Sequence, residues 1–399
     1  MLNLVFFDSD VRPHLLPLTY SRPVGDLRCG ILTIREKWEH HLGVSGSFLT
    51  DDSLRELYPV EQGEHNLLIN GAVLPTPALA EQVRQLVPGE AFQQNGLLVA
   101  TCLNGDALEA LIEGDEFDNI EAFELEGEPV RHLTRPADIF TFNGEEIRRD
   151  FALLIEGRTS ATPSTSNTFI GDQSNLFLEE GVTMEACTLN LTTGPVYIGH
   201  DAVVLEGCLL RGPISVGEGA ALKMGAKVYS NTTIGPKCKV GGEVNNVVFH
   251  SNSNKGHDGF LGNAVIGQWC NIGADTNASN LKNDYGEVRV WDYVSERFAK
   301  TGLQFHGLVM GDHSKLAINC MMNTGTVVGF SANVFGEGFP RTFIPSFSWG
   351  GAGGFRTYRL DKALATAERV MARRERQLSD EDRDLFARVF DASEKYRPE

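Results

Sequence analysis

Glycines 199, 217 and 235 stand 18 residues apart, and each follows an aliphatic residue: Ile198, Val216 and Ile234. The same dipeptide recurs at Val240-Gly241, Ile266-Gly267 and Ile272-Gly273. Steps of 6 separate 235 from 241 and 267 from 273, and Gly311 and Gly329 are again 18 apart. A period of six nested in eighteen predicts three short flat strands per triangular coil. The aliphatic side chain points into the prism, the glycine helps the chain turn the corner, and stacked coils bury a continuous core. Residues 168–345 are therefore expected to form a left-handed parallel β-helix of hexapeptide repeats. The 26 residues between Gly241 and Gly267 exceed one coil by 8, which predicts an extruded loop holding Ser251–His257. Spacing also departs from the beat between Gly273 and Gly311, around Asn280–Gly286 and Val294–Gly307. Loops leaving a solenoid usually mark its functional face.

The chain before the repeats has another texture. Short apolar runs at Leu2–Phe7, Leu67–Ile69 and Leu97–Ala100 read as buried strands, with helical patterns at Ile31–Leu42, Pro77–Leu86 and Ile147–Glu156 between or after them. This alternation predicts an α/β layer with a partly parallel sheet over 1–156. The polar, aperiodic stretch 157–167 reads as a linker. After the repeats, Ser346–Gly351 reads as a turn region. Leu360–Glu375 and Ser379–Tyr396 read as amphipathic helices of a tail over 346–399, capped by Asp361 or Ser379 and packed on the β-helix or a neighbouring subunit.

With 399 residues and a net charge of −18, the chain is expected to bind neither DNA nor RNA as a whole, although a local basic groove can still hold phosphate or CoA. No apolar run reaches membrane-spanning length, and Met1–Asp8 lacks the basic start of a signal peptide. Seven scattered cysteines predict free thiols in a reducing cytoplasm.

His257, Asn271, Asn280 and Lys282 supply the chemistry of the irregular coils. An imidazole titrating near about 6.5 suits proton abstraction from an amine or hydroxyl. Asn and Lys can hold a sugar phosphate or polarise a thioester carbonyl. The alternatives for His257 are a solvated loop residue or a metal ligand acting with His250, His306 and His313.

These residues resemble the acetyltransferase half of the GlmU family, the bifunctional enzymes that make UDP-N-acetylglucosamine. The family pattern K-x-G-H-x-x-Y-L-G-D, then I-G-x-x-x-N-I-G-A-G-T, is matched by Gly256-His257, Leu261-Gly262, Ile266-Gly267, Asn271-Ile272-Gly273-Ala274, Thr276 and Asn280. The resemblance implies that His257 is the base freeing an amino-sugar amine to attack acetyl-CoA. It implies that Asn271 and Asn280 hold sugar and acyl carbonyl, that Lys223 replaces a phosphate-binding arginine, and that Glu243 contacts the sugar. Phe260 stands where the family has Tyr, Asn245 where a Lys is expected (Lys255 or Lys282 being substitutes), and Asp275 where the family has Gly. A homotrimer with CoA between neighbouring prisms is implied as well.

The first domain is similar to sugar nucleotidyltransferases, an α/β Rossmann-like fold, through its opening strand and Leu15-Leu16-Pro17-Leu18-Thr19-Tyr20-Ser21-Arg22-Pro23. Arg12-Pro13-His14, joined to that run, gives the signature of divergent GlmU-like proteins of some bacteria. Arg12, Thr19, Arg22 and Arg28 are the implied nucleotide ligands. The phosphate-loop glycines and lysine of the wider family are missing, and Ala72 stands where a Mg2+-binding Asp is expected. Asp8, Asp10 and Asp26 are then candidate Mg2+ ligands. Three functions follow: an acetyl-CoA-dependent N-acetyltransferase acting on a glucosamine-1-phosphate-like sugar beside a domain that binds or forms the NDP-sugar; a nucleotidyltransferase with a structural or allosteric β-helix; or a non-catalytic sugar-nucleotide-binding scaffold.

Overall fold

Residues 2–115 and 120–397 are described in a computed structural model of the chain. The chain divides into two compact units: residues 1–15, 21–27 and 32–135 form the first, and residues 16–20, 28–31 and 136–399 the second.

The first unit is built on a six-stranded mixed sheet. Its strands are β1 (Leu2–Phe7), β2 (Gly46–Leu49), β3 (His65–Asn70), β4 (Glu90–Gln94), β5 (Leu97–Asn104) and β6 (Glu121–Glu124), in the order β2-β1-β3-β5-β4-β6. β1 lies parallel to both β2 and β3, whereas β5 runs antiparallel to β3 and β4. Leu4, Val5, Leu67, Leu68 and Ile69 are fully buried, as their apolar runs require. Helix α1 (Ile34–Leu42) starts three residues later than the sequence pattern suggests. Thr33 caps it: its hydroxyl accepts from the Glu36 amide at 3.2 Å, and the Glu36 carboxylate accepts from the Thr33 amide at 2.7 Å. Helices α2 (Pro77–Val83) and α3 (Gly105–Glu113) follow, and α3 packs Leu108 against Val5 and Leu68 of the sheet.

The second unit contains three faces of parallel strands, two of them joined in one 15-stranded sheet, that wrap one continuous apolar core. The first face runs from Thr168–Ile170 through Thr188–Asn190, Leu209–Arg211 and Lys227–Val228 to Met321–Met322. The second runs from Leu176–Leu178 through Val196–Ile198, Ile214–Val216 and Thr232–Ile234 to Phe343–Ile344. The third runs from Thr183–Met184 through Ala221–Leu222, Lys239–Val240 and Asn271–Ile272 to Ser348–Gly351. This is the parallel β-helix that the glycine beat predicts.

Three details differ from the sequence expectation. The glycines of the beat do not turn the corner by a positive φ; that conformation falls two residues later, at Asp201, Gly219 and Lys237. Their role is close approach: a Cβ on Gly217 would lie 2.7 Å from the Pro236 nitrogen, and one on Gly235 1.7 Å from the His250 carbonyl oxygen. Second, no eight-residue loop leaves the prism between 241 and 267. Thr233 pairs with Val248 and Val248 with Val265, so two coils of 15 and 17 residues replace coils of 18, and 251–257 belongs to the wall. The extruded segment is the later one: Val265 pairs with Val309, a step of 44 residues that carries the hairpin Arg289–Asp292 with Arg297–Lys300. Third, Ser348–Gly351 is not a turn but a third-face strand, paired with Asn333–Val334 and folded back on Gly354–Thr357.

Stretch 157–167 is tied to the first coil: Ser160 Oγ accepts from the Leu178 amide at 2.9 Å, and Asn167 Oδ1 from the Cys187 amide at 3.0 Å. Helix α4 (Pro136–Ile155) belongs to the second unit. Its Asn143 amide donates to Asn231 O at 2.8 Å and Thr233 Oγ1 at 3.1 Å, and a Cβ on Gly144 would strike Asn231 Oδ1 at 2.0 Å. Helices α5 (Leu360–Ala372) and α6 (Asp380–Ala392) pack on the corner between the second and third faces, where Phe386 lies 4.8 Å from the rings of His313 and Phe330. Ser379 caps α6 in a capping box with Asp382, whereas Asp361 lies inside α5 and pairs with Arg359. All seven cysteines are buried and unpaired. Among the described residues no helix is long and apolar enough to cross a membrane.

Candidate functional site

The corner between the third and first faces carries His257. Asn254–Lys255 ends the third face, the chain turns through Gly256-His257-Asp258-Gly259, and Phe260 opens the first face. The His257 side chain is exposed, while the lysine two residues earlier is 1% exposed. Lys255 follows Val240 in the third-face register, and Asn254 pairs with Asn271, which sets Lys255 beside Ile272. It therefore occupies an inward position held elsewhere by Val, Leu or Ile. Its Nζ donates to the His257 carbonyl oxygen at 2.8 Å. Burial pushes its pKa from 10.5 down to about 8, against the opposing pull of Asp258 and Asp275.

The first face gathers Glu243, Asn245, Phe260 and Asn280. Glu243 pairs with Phe260 and Asn245 with Gly262. At Gly262 a Cβ would lie 2.6 Å from Asn280 Nδ2 and 2.7 Å from Phe260 Cζ, so these two side chains close over bare backbone. Asn280 Nδ2 donates to Asn263 Oδ1 at 2.7 Å. With the Asn246 amide oriented to satisfy both its ends, Asn263 Nδ2 donates to Asn246 Oδ1 at 3.0 Å and Asn246 Nδ2 to Asn231 O at 3.2 Å. An asparagine ladder thus runs down the far edge of this face. Asn231, Asn246 and Asn263 take φ of 60°, 55° and 45°, a region asparagine tolerates better than most residues.

Lys223 and Asn271 lie on the third face, across the His257 corner from Glu243. Their amides donate to Val240 O at 2.8 Å and Ser314 O at 3.1 Å. Lys282 belongs to the extruded segment; its Nζ donates to Glu287 O at 2.7 Å. It borders a cavity of about 440 Å3 shared with Ser279, Asn323 and Thr324. Of the side chains implied by the motif, Lys223, Asn271, Glu243 and Phe260 therefore flank one corner on two faces, while Asn280 lies at the far edge of the first face and Lys282 beyond it.

In the first unit, Arg12 Nε pairs with Asp8 at 3.1 Å and its guanidinium reaches Asp51 at 3.6 Å. Asp8 also accepts from Thr50 Oγ1 at 2.5 Å and from the Val24 amide at 2.7 Å, while burial raises its pKa above the usual carboxylate range. Asp26 pairs with Arg35 at 3.5 Å. Arg22 is buried, as are Thr19 and Arg28, which belong to the second unit. Among the described residues no three His, Cys, Asp or Glu side chains gather as a metal site.

The sequence reading overlooked two features. Lys255-Gly256 occupies the place of Val240-Gly241 and Ile272-Gly273, a visible break in the aliphatic-glycine pattern. Arg374, at the end of α5, donates to Lys237 O at 2.6 Å and Asn254 Oδ1 at 2.9 Å, a contact that no local motif announces.

Residues 4–159 match the family model described as sugar nucleotidyl transferase. Similar curated proteins are the bifunctional protein GlmU of Wigglesworthia glossinidia brevipalpis, 28% identical over 35% of this chain and 32% of that one, and GlmU of Methanococcus aeolicus, 27% identical over 25% and 28%. The chain thus spans about a third of the length of the curated relatives it matches. Solved structures with some likeness are the polySia-specific acetyltransferase NeuO (13% identity, TM-score 0.28, covering 53% of this chain and 94% of that one) and Arabidopsis UDP-N-acetylglucosamine acyltransferase (15%, 0.21, 59% and 91%). The Bacillus cereus N-acyltransferase AntD, in complex with dTDP and 3-hydroxybutyryl-CoA, gives 9%, 0.23, 52% and 91%. The β-helix rests on its own strand register rather than on these likenesses. The chain thus joins a region that matches the sugar nucleotidyl transferase model to a parallel β-helix, and part of it is similar to GlmU.

Proposed function

We propose that the chain is an enzyme of amino-sugar nucleotide synthesis. In this reading its β-helix transfers an acetyl group from acetyl-CoA to the amine of a glucosamine-1-phosphate-like sugar, and its first domain binds or forms the NDP-sugar. The observation that carries it is the placement of His257: an exposed imidazole at a corner, bordered on one side by Glu243, Asn245 and Phe260 and on the other by Lys223 and Asn271.

The amine nitrogen attacks the thioester carbon, an amine proton passes to the imidazole, and the C–S bond breaks to release CoA, whose sulfur takes a proton back from the imidazolium. Orientation and a positioned base supply most of the acceleration, because the thioester is already activated. Glu243 and Asn245 orient the sugar, Lys223 and Lys282 hold phosphate, and Asn271 and Asn280 hold the sugar and the acyl carbonyl. Exposed Leu209, Tyr229 and Met321 on or beside the first face fit a homotrimer with further prisms alongside; sedimentation as a monomer contradicts that part.

For the first domain, Arg12 and Arg22 are the proposed nucleotide contacts. Two of the three candidate carboxylates do not fit Mg2+ as they stand: Asp8 is taken up by Arg12, Thr50 and Val24, and Asp26 by Arg35, while Asp10 is exposed. No step here passes through that ion. The family match of residues 4–159 favours a second reading, a nucleotidyltransferase on a structural β-helix. Thiol release from acetyl-CoA that requires glucosamine-1-phosphate supports the first reading; pyrophosphate release from UTP and a sugar phosphate without any thiol release supports the second.

A further inference from the structure

The coil that carries His257 departs from its neighbours at one hydrogen bond. In three other coils the residue two past the inward one gives its carbonyl oxygen to an amide of the next coil. Ala186 accepts from Gly207 at 3.0 Å, Glu206 from Gly225 at 3.0 Å and Ala274 from Asn319 at 2.9 Å. His257 holds the same place, two past Lys255, but the amide of the next coil, that of Asp275, goes to Asp258 O at 3.0 Å instead. The His257 carbonyl is left to the Lys255 ammonium. Among the described residues that is the one hydrogen bond of the His257 main chain. With Gly256 before it and Gly259 (φ 119°) two residues after it, the corner has little else to hold its backbone.

Core packing does not account for a lysine in this coil. Val240, Ile272 and Leu316 hold the matching inward positions before and after Lys255. An aliphatic residue would fill the prism there without the cost of burying an ammonium. What the lysine supplies is a donor, aimed from inside the prism at the main chain of the residue whose imidazole stands exposed at the candidate site. A reacting group displaced by about 1 Å can cost about a hundredfold in rate, so a hold on that main chain bears on chemistry as well as on the fold.

We propose that Lys255 is a positioning residue: by holding the His257 carbonyl it sets the imidazole in the attitude that proton abstraction requires. The proposal rests on the reading of His257 as the base of acyl transfer. The charged groups acting on the ammonium are Asp258, on the same corner, and Asp275, on the next coil. Burial, the larger effect, outweighs both and brings its pKa down to about 8. Below that pH the bond is charge-assisted; above it a neutral amine donates more weakly.

A double-mutant cycle in acetyl-CoA turnover with glucosamine-1-phosphate tests it, using the full chain as wild type, Lys255→Met, His257→Ala and the double variant at pH 7. Lys255→Met is expected to lower kcat at least about tenfold with KM nearly unchanged, and to make no further difference once His257 is alanine. The gap between wild type and Lys255→Met is expected to narrow as pH rises through about 8 and the tether loses its charge. A lysine serving the fold alone would lower the rate by the same factor with or without the imidazole. That result, or an unchanged kcat in Lys255→Met, overturns the positioning role and leaves acyl transfer standing. No thiol release by wild type, or release that His257→Ala does not lower, overturns the acyl-transfer reading itself and the positioning role with it.

Discussion

The ammonium of Lys255, buried within the β-helix, donates to the main-chain oxygen of His257 at 2.8 Å. One side chain therefore ties the exposed corner to the core. Its pKa of about 8 makes the tie sensitive to pH. The folded chain holds this proton less tightly than the unfolded chain does, so the penalty is fully present below about pH 8 and disappears as pH rises toward 10.5. The displacement corresponds to about 3 kcal/mol. Wild type is expected to gain stability between pH 8 and 10.5 relative to Lys255→Met, measured by urea unfolding; Lys315, whose pKa burial also lowers to about 8, cancels in that difference. Parallel curves for the two proteins contradict the assignment.

Two glycines separate close approach from open space. Gly235→Ala places a methyl 1.7 Å from the His250 carbonyl oxygen and is expected to cost about 3 kcal/mol or more. Gly256→Ala meets nothing within 4 Å and is expected to change stability by less than about 0.5 kcal/mol. Thermal denaturation of the pair reads the contrast directly.

The asparagine ladder predicts a third effect. Asn263→Ala removes the bonds to Asn246 and Asn280 and forces alanine to φ of 45°, at an expected cost of about 2–4 kcal/mol. Asn263→Asp keeps a side chain suited to that φ and an acceptor for Asn280 but loses the donor to Asn246, and is expected to cost less. Equal losses for the two variants would mean that neither the bond to Asn280 nor the tolerance of that φ contributes measurably.

The regular coils were legible because Ile198-Gly199, Val216-Gly217 and Ile234-Gly235 repeat one local demand, an inward aliphatic residue and a backbone with no room for a Cβ. The shortened coils were not. Glycine 235 is matched there by His250, whose carbonyl approaches from the next rung, so counting glycines alone turned two short coils into one long one with a loop. Asn231, Asn246, Asn263 and Asn280, spaced 15, 17 and 17 apart, carried the true register. In the first unit β1 and β3 stood out as apolar runs. β2, β4 and β6 are short and mixed in character, and their pairing comes from tertiary context rather than pattern. Pattern also gave α4 only its last turns. Its first half buries Asp138, Asn143 and Gly144, and the last two meet Asn231 rather than follow an apolar stripe.

The candidate site was legible where a motif stayed contiguous, as in Gly256-His257 through Phe260. Arg374 lies more than 100 residues from Lys237 and Asn254, which it touches, and only folding brings them together.

Acetyl-CoA turnover with glucosamine-1-phosphate, followed by thiol release in wild type and His257→Ala, tests the central proposal most directly. The predicted result is acceptor-dependent release in wild type and a kcat lower by about 10²–10⁴ in the variant, with its fold intact by circular dichroism. Acceptor-dependent release that falls less than about threefold in His257→Ala, or no release by wild type, would contradict it.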